Sequence, residues 1–191
     1  MNNYNTLIIA EAGVNHNGSV SLAKELIDIA KSSGADAVKF QTFKASELST
    51  KKAPKSTYHI ETTGADEKQS WYDLLKSQEI SEKMHIELMS YCKKKDIIFL
   101  STPYSIKSVD LLEKLGVAAY KVASTDTNNI PFLKHIASTM KPIILSTAMS
   151  TMKEVIASVN LIKSINKKLI VLQCTGNYPS MIKDSNLSVI N

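Results

Sequence analysis

The chain has 191 residues, the length of one ordinary domain, with 43% hydrophobic and 21% charged residues. That balance excludes a disordered tail, a collagen-like repeat and a disulfide-dense scaffold. All 23 basic residues are lysine, and with 18 acidic residues the net charge is +5. A nucleic-acid binder would concentrate its charge and use arginine's planar fork, so the scattered lysines argue against that class. Only 93–95 and 51–55 hold short lysine clusters.

Cys92 and Cys174 lie in apolar surroundings and are expected to be reduced core residues. The apolar stretch from Leu7 to Ala10 is too short for a secretion signal, and no run reaches the ~18 apolar residues of a membrane span. A cytoplasmic protein with neither membrane nor nucleic acid as partner is expected.

Along the chain, short apolar runs alternate with amphipathic stretches. Leu7–Glu11 is followed by a helical stripe over Ser19–Ser33, with Leu22, Leu26, Ile27 and Ala30 on one face. Ala37–Gln41 comes next. Ile97–Thr102 precedes a helix over Ser105–Leu115, and Ala119–Ser124 precedes one over Asn128–Ser138. Pro142–Thr147 precedes a helix over Met152–Ile165, and Leu169–Cys174 is the sixth run. The runs are continuous rather than alternating, as in strands of a parallel sheet buried on both faces. From the third run onward they recur about every 22 to 28 residues, the spacing of a βα unit. Gly18, Gly34 and Gly116 punctuate the array.

One interval is irregular. Roughly 40 residues, with Pro54, Gly64 and Trp71, separate Gln41 from a helix over Ser81–Lys95, longer than an idle loop usually runs. A lid or substrate-facing loop is expected there; a solvated insertion with a short helix at Trp71–Ser77 is the alternative. Six strands leave two architectures open, an incomplete eight-stranded barrel or an open doubly wound sheet.

Polar groups end every run: Glu11; Lys39 and Gln41; Ser101 and Thr102; Lys121 and Ser124; Ser146 and Thr147; Gln173 and Thr175. These are the carboxyl ends, where βα folds place their chemistry. A hydroxyl there is also an ordinary helix cap. The lysines are harder to dismiss, because an ammonium inside a covered sheet must meet a carboxylate, bind an anion or lose its proton. Glu11 on the neighbouring strand can neutralise Lys39 but not also Lys121. Two cations ringed by Thr102, Ser124 and Ser146 suit a phosphate or carboxylate. Glu11 and Asp126 are candidates for acid–base work, although Asp126 also fits a helix N-terminus. No glycine-rich nucleotide loop is present. His59, His85 and His135 are expected at the surface, and His16 past the first strand could face the site or simply sit in the Asn17-Gly18 turn. No HxxxH or CxxC spacing marks a metal site.

Six collinear segments carry a resemblance. They are Ile9-Ala10-Glu11-Ala12-Gly13-Val14-Asn15-His16-Asn17-Gly18, Val38-Lys39-Phe40-Gln41-Thr42, Ser101-Thr102-Pro103-Tyr104, Tyr120-Lys121-Val122-Ala123-Ser124, Leu145-Ser146-Thr147 and Cys174-Thr175 with Tyr178-Pro179. In order and spacing the chain resembles the N-acetylneuraminate (sialic acid) synthase family, which includes the legionaminic and pseudaminic acid synthases. The resemblance implies a TIM barrel followed by a small antifreeze-like domain in a homodimer. It implies condensation of phosphoenolpyruvate with an N-acetylated amino sugar, and a divalent metal, Mn²⁺ or Mg²⁺, near the aldehyde. Lys39 and Lys121 then resemble the phosphoenolpyruvate-binding cations, and Thr102, Ser124 and Ser146 the hydroxyls around its anionic groups. Glu11, Gln41 and Tyr178 resemble residues facing the sugar.

Three departures accompany the resemblance. Asp126 stands where the family often has Glu. Gly176 precedes Asn177 where an Asn commonly follows the Cys-Thr pair as a phosphate contact. The family's metal-holding histidines come from strands seven and eight, beyond Asn191, so no metal ligand is assigned in this chain. The expectation is the N-terminal part of such a barrel over residues 1–191, about six βα units, with low solubility and little activity alone. A Schiff-base aldolase and a non-catalytic anion-binding or partner-pairing fragment are the competing readings.

Overall fold

Alternating parallel strands and helices form the chain, in a computed structural model that describes residues 6–55, 60–61 and 70–190. Two compact units divide it, Met1–Phe99 and Leu100–Asn191, with the division inside one strand. His59 and Gly64 lie outside the described residues.

In the first unit β1 (Ile9–Gly13) and β2 (Ala37–Thr42) pair in parallel, with α1 (Val20–Ser32) as their crossover. The α1 boundaries follow from sequence chemistry. Ser19 caps the first turn by accepting a hydrogen bond from the Leu22 N–H, and Lys31 sits in the last turn, where a cation favours the helix dipole. Ala23, Ile27 and Ala30 form the buried stripe. After β2 come the short α2 (Ala45–Leu48), α3 (Trp71–Ser77) and α4 (Glu82–Lys94). The opening of β3 (Ile98–Pro103) lies beside β2, where the Ile98 N–H donates to the Asp36 carbonyl. Phe40 stacks on Phe99 at 5.6 Å in the core, with Leu88 and Cys92 of α4 also buried.

In the second unit the remainder of β3 pairs with β4 (Tyr120–Val122), then β5 (Ile143–Ser146) and β6 (Leu169–Leu172), all parallel. The crossovers are α5 (Ile106–Leu115), α6 (Ile130–Ser138) and α7 (Met152–Ile165). Ser105 caps α5, Asn129 caps α6, and a reciprocal Thr151–Glu154 capping box opens α7. Tyr120, Leu133, Ile136, Ile143, Leu145 and Ile162 are fully buried.

The expected runs and helices recur with boundaries shifted by at most two residues, and the burial expected of β6 and of Cys174 changes. Burial on both faces holds for β2, β3 and β5 but not for β6, where Ile170 and Val171 are 50% and 44% exposed. Crossover helices cover the faces of a parallel strand, and among the described residues β6 is followed only by short 3-10 turns. Cys174 is half-buried rather than a core residue, whereas Cys92 is buried and its thiol is pushed up to about 12 by loss of solvation. The Trp71–Ser77 helix of the alternative reading is present. The two ends of its long interval meet at Glu79, whose carboxylate accepts from the Ala45 N–H, Lys44 and Lys76.

Candidate active site

The first unit carries a carboxylate–ammonium pair at its strand ends. Parallel register sets Glu11 of β1 directly opposite Lys39 of β2, and the two side chains form an ion pair. Lys39 is 8% exposed and the Glu11 side chain 53%, so the carboxylate carries the pair toward solvent. A bulge between Glu11 and Gly13 makes the room. Gly13 has φ +55°, and a Cβ there would stand 3.2 Å from Glu11 Oε1. Gln41 follows, half-buried, two residues along the same face of β2.

Behind this pair lie two histidines. His85 is fully buried, a correction to its expected surface position, because α4 turns it inward toward β2. Its Nδ1 is 2.9 Å from the Ser81 carbonyl, which only accepts, so the proton sits there and Nε2 accepts from the Thr42 hydroxyl at 2.8 Å. His16 is also fully buried. Its Nδ1 accepts from the Gly18 N–H at 3.0 Å, which places its proton on Nε2, a buried atom with no hydrogen-bond partner among the described residues. Burial lowers both imidazole pKa values, and for His16 the neighbouring His85 lowers it further. The turn reading of His16 holds too: Asn17 and Gly18 take positive φ, and a Cβ on Gly18 would meet the Ser77 carbonyl at 2.5 Å.

The second unit arranges its donors differently. Lys121 of β4 donates to Ser146 Oγ at the end of β5 and, at 3.1 Å, to the Val122 carbonyl. Ser124 opens a short 3-10 turn, Ser124–Asp126, and its Oγ accepts from the Ala148 N–H at 3.0 Å. Both serine oxygens therefore act as acceptors within the fold and keep their own protons to donate. An ammonium on one serine hydroxyl, with a second serine tied to the same strand-end segment through Ala148, is a setting for an anion. Asp126 belongs to the same turn rather than to a helix start, since Asn129 caps α6 and donates its amide to Asp126 Oδ1 at 2.9 Å. Burial raises the Asp126 pKa against that hydrogen bond. Thr102 is buried within β3.

Three expected groups serve the framework. Thr147 Oγ1 donates to the Leu172 carbonyl, Gln173 Nε2 to Ser185 and Thr175 Oγ1 to Asp184. Asn177 is exposed and Tyr178 is 77% exposed, in an irregular stretch after β6 that does not enclose them. His135 is half-buried and pairs with Asp110 on the α5–α6 side. Sequence reasoning missed two buried residues: Thr127, whose hydroxyl reaches the Ser124 and Ser146 carbonyls, and Ser158, whose hydroxyl reaches the Thr127 carbonyl. Neither ends a run or completes a motif, so no pattern in the sequence singles them out.

The chain belongs to the NeuB family, whose match covers residues 26–191. It is 45% identical to N,N'-diacetyllegionaminic acid synthase of Campylobacter jejuni over 97% of this chain and 56% of that protein. Against the enzyme of the same name from Legionella pneumophila it is 44% identical, over 96% of this chain and 52% of that protein. A sialic acid synthetase from Leptospira borgpetersenii, solved with citrate, superimposes with a TM-score of 0.83 at 32% identity, covering 98% of this chain and 60% of that one. The chain thus spans about half the length of the curated relatives it matches.

Proposed function

We propose that this chain carries the N-terminal, TIM-barrel part of a nonulosonic acid synthase, which condenses phosphoenolpyruvate with an N-acetylated amino sugar. The acceptor is N-acetylmannosamine or a 2,4-diacetamido-trideoxyhexose. The enol carbon of the donor forms a bond to the sugar aldehyde carbon, and water adds at the resulting cationic carbon. The C–O bond to phosphate then breaks, giving a nine-carbon 2-keto acid and inorganic phosphate.

In this reading Lys39 and Lys121 bind the donor's phosphate and carboxylate, and Thr102, Ser124 and Ser146 donate hydrogen bonds to it. Glu11 and Asp126 serve proton transfer or hold sugar hydroxyls, with Gln41, Asn177 and Tyr178 as further sugar or phosphate contacts. Fixed donors aimed at developing charge supply most of the rate enhancement. The observation that carries the reading is the Lys121–Ser146 pair at adjacent strand ends, with Ser124 tied to the segment that follows Ser146 through its bond from the Ala148 N–H. The family's divalent metal receives no step here, because no cluster of three or more His, Cys, Asp and Glu among the described residues could hold one. The same residues contain no helix long and apolar enough to cross a membrane. A cytoplasmic homodimer is the assembly proposed.

The test supplies phosphoenolpyruvate and each amino sugar to the full gene product and reads phosphate release with 2-keto acid formation. Release dependent on one amino sugar is expected, with no adduct trapped by borohydride and pyruvate. A trapped lysine adduct would instead establish Schiff-base chemistry and overturn the proposal.

A further inference from the structure

The second unit's donors stand on two short backbone segments, and one buried hydroxyl joins those segments. Thr127 is 1% exposed. Its Oγ1 lies 2.9 Å from the Ser124 carbonyl and 2.9 Å from the Ser146 carbonyl, so its single proton is shared between them. The Thr127 N–H also donates to the Ser124 carbonyl, at 3.2 Å. The Thr127 carbonyl in turn accepts from Ser158 Oγ, a buried hydroxyl on α7. Three elements, the turn after β4, the end of β5 and the middle of α7, therefore converge on one residue.

We propose that Thr127 is the positioning residue for the anion-binding donors of this unit, an inference that rests on the synthase reading. Its hydroxyl holds the Ser146 carbonyl, which orients the Ser146 peptide and hence the Oγ that receives Lys121. The same proton holds the Ser124 carbonyl, while the Ser124 Oγ is held from the other side by Ala148. A β-branched side chain suits this task, because its χ1 is stiff and the hydroxyl cannot swing away. Displacing donors by about 1 Å is enough to lose much of the benefit of pre-organisation. Buried carbonyl satisfaction alone would make Thr127 a contributor to stability and nothing more.

The experiment compares Thr127→Val, Thr127→Ser and Ser158→Ala in the full gene product, with Thr139→Val as control. Thr139 makes the same kind of hydroxyl-to-carbonyl bond, to Ile136 in α6, away from these donors. Thr127→Val is expected to raise the KM for phosphoenolpyruvate about 10-fold while the amino-sugar KM stays within about twofold. Thr127→Ser should recover to within about threefold of wild type, Ser158→Ala should raise that KM about threefold, and Thr139→Val should leave it unchanged. A lower melting temperature with an unchanged phosphoenolpyruvate KM would overturn the inference. Should Thr127→Val fail to fold, a wild-type phosphoenolpyruvate KM in Ser158→Ala overturns it equally. If the wild type releases no phosphate, the synthase reading falls by itself. The ¹³C-dimethyl-lysine resonance of Lys121, assigned by its loss in Lys121→Met, then decides this inference. A shifted signal in a folded Thr127 or Ser158 variant supports it, and an unmoved one overturns it.

Discussion

Lys39 and Lys121 are both lysines near the carboxyl end of a parallel strand, yet the two units hold them by different means. In the first unit a carboxylate directly across the ladder takes the ammonium, made possible by the Gly13 bulge. In the second, a serine hydroxyl and a backbone carbonyl take it, and the serine is held by a buried threonine. An ion pair is strong but tolerant of geometry, whereas a hydrogen bond to a hydroxyl is weaker and directional. The first arrangement therefore depends on which charges are present, the second on where the backbone puts its oxygens.

The largest expected effect breaks this comparison at the charges. Lys121→Met should lower kcat/KM for phosphoenolpyruvate by about 100-fold or more, the scale of losing one fixed donor to developing charge. Its unfolding free energy in urea should fall by less than that of Glu11→Gln, since the hydrogen bonds it gives up to Ser146 Oγ and the Val122 carbonyl go to neutral oxygens. Glu11→Gln should lose more stability. It replaces the carboxylate opposite the largely buried Lys39 ammonium with a neutral amide, and should cost about 1 to 3 kcal/mol, below the usual figure for a fully buried pair because Glu11 is half exposed. Equal stability losses in the two variants would erase the distinction.

A smaller effect sharpens the comparison through pH. His85 and His16 have lowered folded pKa values, so their neutral forms contribute stability that is complete above the unfolded value near 6.5. That contribution is lost as pH falls through the lowered folded values. Asp126 has the opposite sign: its raised pKa means stability is greatest at low pH, below the ordinary carboxylate value, and declines as pH rises through the folded value. His85→Gln should flatten the loss of stability below pH 6.5, and Asp126→Asn should flatten the decline at carboxylate pH. Urea midpoints measured from pH 4 to 8 check both slopes.

The smallest effect carries no stability change. Cys92 in the first unit is buried with its thiol pushed up to about 12, whereas Cys174 in the second is half-buried. A thiol-reactive disulfide at pH 8 should label Cys174 in the native protein and reach Cys92 only on denaturation, as read by peptide mass analysis. Labelling at equal rates would contradict the burial difference.

Much of this was open to reading from the chain. Continuous Ile, Val and Leu runs spaced by helical stripes define βα units, and Ser19, Ser105 and Thr151 mark helix starts because a hydroxyl there satisfies otherwise unpaired N–H groups. The Glu11–Lys39 pairing was also legible, since a buried ammonium needs a counter-charge and one carboxylate ended the adjacent run. His85 was not. The helix bearing it reads as amphipathic, but whether a histidine faces water or β2 depends on how the helix rolls against its sheet. Exposure along β6 was equally hidden, because an apolar run has the same letters whether or not another element covers it.

Residue order alone determined the alternation of strands and helices, the helix caps and the polar character of the strand ends, all of which depend on neighbours a few positions apart. Tertiary structure decided what each polar group touches: that Ser124 and Ser146 act as acceptors inside the fold, that Thr127 binds both of their carbonyls, and that His16 and His85 are buried and neutral. Most of those outcomes are set by directional contacts about 3 Å long between segments 19 to 43 residues apart, and sequence spacing carries no information at that distance.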